Sequence, residues 1–114
     1  SAQFSSNNLA DALKVLTPIA RQGAGIIRLV IEDNKVLVNI LLDGKISSAT
    51  VDAVNTLKGR TAVNINYLQD MLSTVKDTQL VIEFEGKSAP LAFHIAEDRA
   101  YVQLIMPMFV KWDE

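Results

Sequence analysis

Residues 26–44 read IIRLVIEDNKVLVNILLDG, two apolar, β-branched runs held apart by Asp33 and Asn34. β-branched side chains favour the pleated backbone, and a two-residue break of turn-forming residues between such runs is the signature of a β-hairpin. The tetrapeptide LVIE at Leu29 to Glu32 recurs at Leu80 to Glu83, an offset of 51. Upstream, Asn7, Leu9, Asp11 and Leu13 recur as Asn66, Leu68, Asp70 and Leu72, an offset of 59. Two repeats in the same order, each on one type of element, indicate duplication. The chain therefore divides into similar halves of about 1–56 and 57–114.

Each half starts with a helix-period segment. Leu9, Ala12, Leu13 and Leu16 form one stripe behind Ser and Asn residues able to cap a helix, and INYLQDMLSTV repeats the pattern after a short strand around TAVN. Thr17 and Pro18 interrupt the first stripe, which predicts a kinked or divided helix ending near Gly23, with Thr17 capping the new turn. KISSATVDAV reads as a weaker strand after the hairpin. QLVIEFEG, PLAFHIAE and AYVQLIMPMF read as the last three strands. The expected architecture is α+β: strand, helix and three strands, repeated, with both helices packed on antiparallel sheets.

Composition limits the functions open to such a chain. With 114 residues and 49% hydrophobic content it can bury one sizeable core, and without cysteine it has neither disulfide framework nor thiolate chemistry. Eleven Lys plus Arg against thirteen Asp plus Glu give a net charge of -2, so any polyanion contact must come from a local patch. No apolar run approaches the roughly 18 residues of a spanning helix, and the N-terminus lacks signal-peptide character, so a soluble, cytoplasmic protein is expected. Catalytic readings are poor. His94 alternates with Leu91, Phe93 and Ile95 and reads as a surface strand residue, and no nucleophile set, phosphate loop, cofactor fingerprint or metal-ligand spacing is legible. Aromatic residues are too few, and too little interleaved with basic ones, for a single-strand binder. No catalytic residue, cofactor or metal is expected.

The helix opening VNINYLQDML, the segment EFEGKSAPLAF and above all YVQLIMPM resemble the C-terminal domain of the bacterial DNA polymerase III β subunit, the sliding clamp. The resemblance covers nearly the whole chain. It implies a clamp (processivity) fold that tethers polymerase and other replication or repair proteins to DNA by encircling duplex, helices toward the hole, and by capturing short linear peptide motifs. Carried across position by position, the peptide-binding residues are Asn64, Tyr67, Ser88, Pro90, Leu104, Ile105, Met106, Pro107 and Met108. Pro107 should end or edge its strand and expose the methionines, whereas Leu104 reads better as core.

Partners implied by the resemblance are duplex DNA, met weakly and without sequence preference, and linear peptides of polymerase, clamp loader and repair proteins. DNA-facing candidates are Lys14, Arg21 and Lys76. Those cations are equally well read as an ordinary solvated helix surface, and Asp11 and Asp70 oppose a strongly positive lining. Self-association through strand edges, placed near Ile46 to Val54 and Tyr101 to Phe109, is a further expectation. The chain departs from the family pattern at its end, where Phe109 stands in place of the usual basic residue and a longer tail runs to Glu114. The alternative reading is a stand-alone clamp-fold peptide-binding or assembly module that does not encircle DNA.

Overall fold

The computed structural model describes residues 2–23, 25–55, 58–83 and 90–108. Strand β1 (Ala2–Ser5) leads into helix α1 (Ser6–Ala20), followed by β2 (Ile26–Glu32), β3 (Lys35–Leu42) and β4 (Lys45–Asn55). The order then repeats as β5 (Gly59–Asn64), α2 (Ile65–Thr74), β6 (Gln79–Glu83), β7 (Leu91–Ile95) and β8 (Asp98–Ile105). All pairings are antiparallel, in the order β5-β2-β3-β4-β1-β6-β7-β8.

The hairpin stretch folds as its sequence predicts, and for a local reason. Asp33 and Asn34 take φ of 50° and 59°, the left-handed conformation required twice by the turn whose twist matches that of paired strands. Asp43 and Gly44, at φ of 53° and 77°, turn β3 into β4 in the same way. β4 is therefore no weak strand: its 11 residues make it the longest described.

Corresponding positions recur at fixed offsets along the two runs of elements. Adding 59 to Ser5, the side-chain cap of α1, gives Asn64, the cap of α2. The same step carries the bond from Ser6 N–H to Thr78 O (2.9 Å) onto that from Ile65 N–H to Gly25 O (2.8 Å). Strand pairing follows suit, since Phe4 faces Leu80 and Val63 faces Ile27. Leu80 thus stands where Ile27 does, an offset of 53, so the LVIE repeat finds the right strands two residues out of register. Because the slip is even, the same side chains still point inward.

Each half is stitched to the other, β1 pairing with β6 and β5 with β2. β1 also pairs with the end of β4, with Gln3 facing Val54. The counterpart is a bond from Met108 N–H to Ala62 O (2.7 Å), which nearly closes the sheet between the continuation of β8 and β5.

The inward faces of the strands and the apolar stripes of both helices build one core. Ile27, Leu29 and Ile31 of β2, Val36, Val38 and Ile40 of β3, Leu80 and Ile82 of β6, and Phe93 of β7 are all buried. Leu9, Leu13 and Leu16 of α1 and Leu68, Met71 and Leu72 of α2 complete it. Each large side chain so buried contributes about 1.5–3 kcal/mol relative to exposure. α1 packs on β3, β4 and α2, and α2 spans β5 and β8.

Three expectations need correction. α1 is one helix with Pro18 inside it and not a divided one, and Thr17 does not cap a second helix. Instead the Thr17 hydroxyl donates to Leu13 O (2.7 Å) and accepts from Gln69 Nε2 (2.7 Å), so packing against α2 holds the turn despite the lost Pro18 bond. β4 is not a terminal strand: Ala53 to Asn55 pair with β1, while Lys45 to Asp52 pair with β3 alone among the described residues. The terminal strands are β5 and β8, so the Tyr101 edge stands and the Ile46 to Val54 edge is one only in its first part. Phe109, the far end of the second predicted edge, lies outside the described residues.

Candidate functional site

Where α2 crosses the end of β8, a groove of about 420 Å³ opens, lined by Tyr67, Asp70, Met71, Thr74, Gln103, Leu104, Ile105 and Met106. Helical spacing explains one wall: positions 67, 70, 71 and 74 recur at intervals of three and four and share a face of α2. The Asn64 side-chain oxygen Oδ1 accepts from Asn66 N–H (2.8 Å), fixing the helix start and thereby the place of Tyr67 one turn on. The other wall is the end of β8, in register with β7 through Leu91 opposite Ile105 and Ala92 opposite Leu104.

This register sets the chemistry. Ile105 turns inward with Leu91 and is 4% exposed, whereas Leu104 is 64% exposed, so the expectation that Leu104 fills the core is wrong by one position. Met71 (3% exposed) and Ile105 make an apolar base, and Tyr67, Leu104 and Met106 stand exposed around it. Water leaving such a surface favours an apolar partner, and the thioethers can repack around different shapes. β8 ends at Ile105, immediately ahead of Met106 and Pro107.

Of the sequence candidates, Tyr67, Leu104, Ile105 and Met106 meet in this groove. Asn64 serves as a helix cap, Pro90 is exposed away from the lining, and Pro107 and Met108 follow the rim toward β5 without lining it. Ser88 lies outside the described residues. Asp70, Met71, Thr74 and Gln103 were missed, although projecting α2 from Tyr67 finds three of them.

A second cleft of about 510 Å³ runs between α1 and α2, lined by Lys14 and Lys76 together with Asn7, Asp11, Gln69 and Ser73. Arg21 is the C-cap of α1 and does not line it, so the three cations do not form one patch. The cleft is mixed in charge through Asp11, and its mouth at the start of α1 is braced by Asn7, whose side chain donates to Asp77 Oδ1 (2.6 Å) and accepts from Asp77 N–H (3.0 Å).

His94 also departs from expectation. It lies on the face opposite Leu91 and Phe93, as alternation requires, but is 8% exposed rather than a surface residue. The β7–β8 register shifts at His94 and Ile95, Nδ1 lies 3.3 Å from Ile95 O, and Nε2 lies 3.8 Å from Glu83 Oε1. Among the described residues no group of three or more His, Asp or Glu is arranged to hold a metal, and no helix is long and apolar enough to cross a membrane.

Among the described residues, two helices on a nearly closed eight-strand antiparallel sheet make up a sliding-clamp fold. The DNA polymerase III β subunit of Thermotoga maritima superposes with a TM-score of 0.89 at 19% identity, over 96% of this chain and 30% of that one. The sliding clamps of Pseudomonas aeruginosa (0.85, 16% identity) and Bacillus subtilis (0.83, 15% identity) each match 96% of this chain, over 30% and 31% of their own. Residues 1–109 match the family described as DNA polymerase III beta subunit, C-terminal domain, and the chain belongs to that family. It spans about three tenths of the solved clamps it resembles. No curated protein sequence matches it.

Proposed function

We propose that this chain acts as a sliding-clamp domain, a processivity element without chemistry of its own, that captures short linear peptides of polymerase and other replication or repair proteins in the α2–β8 groove. The observation that carries the reading is the convergence of Tyr67, Leu104 and Met106, all exposed, over a buried apolar base in a member of the clamp family. An extended peptide with an aliphatic and an aromatic side chain suits a groove of this size and character. Pro107 and Met108 belong to its margin, and we retain Ser88 and Pro90 as approach residues on the strength of the family pattern.

In this reading the α1–α2 cleft faces duplex DNA, with Lys14 and Lys76 meeting phosphates, and Arg21 adds charge beyond it. Contact is weak because Asp11 shares the cleft and the chain is net negative. Encirclement comes from several such domains joined by strand edges. Lys45 to Asp52 of β4, with Ile46 69% exposed, and the outer side of β8 are the edges offered for that junction, and they support self-association. The halves 1–56 and 57–114 are the units of the duplication.

Isothermal titration with a peptide bearing adjacent aliphatic and aromatic anchors tests the capture. Met106→Ala and Tyr67→Ala should each weaken binding by about 1 kcal/mol or more, some fivefold to tenfold. Undiminished affinity in both variants would remove the groove from the account.

A further inference from the structure

We propose that the groove selects peptides that carry a basic residue beside the apolar anchor. This rests on the peptide-capture reading and adds the charge of the ligand to it. Among the described residues that line the groove Asp70 is the only charged one, and its exposed carboxylate makes no ion pair or hydrogen bond with any described residue. The groove also runs along the last turn of α2, which contains no basic residue.

That end of the helix is the negative pole of its dipole. The Ser73 hydroxyl donates to Asp70 O (2.6 Å) and that of Thr74 to Met71 O (2.8 Å), which occupies carbonyls without supplying positive charge. Lys76 lines the inter-helix cleft and not this groove.

The carboxylate and the helix end therefore present negative charge above an apolar base. A Lys or Arg side chain answers both features, its aliphatic stem covering Met71 and Leu104 while its head reaches Asp70. An acidic residue at the same place of the peptide would meet like charge, which gives the groove a means of rejecting a ligand as well as accepting one.

Two fluorescently labelled peptides with the same aliphatic and aromatic anchor, one flanked by Arg and the other by Glu, test the inference by anisotropy on the full chain. The Arg peptide should bind about fivefold tighter at low salt, the combined scale of an exposed ion pair and a helix-end contact, with the difference shrinking as salt rises. Asp70→Asn, an exposed and nearly isosteric change, should reduce the preference to about twofold or less without weakening the Glu peptide. Equal affinities on the unaltered chain, a tighter Glu peptide, or an undiminished Arg preference in Asp70→Asn would each overturn the charge selection while leaving peptide capture standing. Failure of both peptides to bind would overturn capture itself.

Discussion

Truncating two neighbouring residues should have opposite consequences, because the register of β8 against β7 turns Ile105 inward and Leu104 outward. Ile105→Ala removes about three methylene equivalents from a side chain that is 4% exposed, a transfer loss of about 2.4 kcal/mol at roughly 0.8 kcal/mol each. A residual cavity adds to this, and the terminal position of β8 allows some collapse, so a cost of about 2–4 kcal/mol is expected. Leu104→Ala, at a side chain 64% exposed, should change stability by about 0.5 kcal/mol or less. Its effect belongs to binding, where loss of one groove wall should weaken an apolar peptide severalfold. Urea unfolding of the two variants, compared at equal m, separates these outcomes. Comparable destabilisation by both substitutions, or a neutral Ile105→Ala, would refute the assigned register and with it the composition of the groove.

Asn64→Ala should lower stability by about 1 kcal/mol through loss of the α2 cap, read from the same urea curves. Thr61→Val should be neutral or stabilising in thermal unfolding, since the Thr61 hydroxyl is buried without a hydrogen-bond partner among the described residues and the replacement keeps its shape. Lys14→Glu combined with Lys76→Glu should flatten the salt dependence of duplex binding more than Arg21→Glu does, because only the first two share the inter-helix cleft; equal effects in a filter-binding series would disconnect the cleft from DNA.

Much of this fold is written locally. The Asp33–Asn34 turn, both helix stripes and the repeated order of elements need only propensity and period, and the structure keeps them. What failed depends on information held between distant residues. The run from Leu104 to Val110 is apolar at nearly every position, so alternation cannot set its phase; pairing of Ile105 with Leu91 does. The place of β4 in the sheet follows from β1 joining it to β6, a choice no single segment displays. Pro18 signals a break, but the Gln69 contact with Thr17 crosses from the other half and keeps the helix whole. The family pattern points to Tyr67 and Met106, which do line the groove, whereas Asp70 and Thr74 join that lining only once α2 is laid beside β8.

The chain contains three methionines, and their methyl groups report directly on the central claim. Met71 and Met106 line the groove, while Met108 lies beyond it at the bond to Ala62. In a methyl NMR titration with the aliphatic and aromatic peptide, the Met71 and Met106 signals should shift together along one saturable isotherm, with Met108 moving less. Shifts confined to Met108, or none at any of the three while the peptide demonstrably binds, would place the peptide elsewhere and contradict capture in the α2–β8 groove.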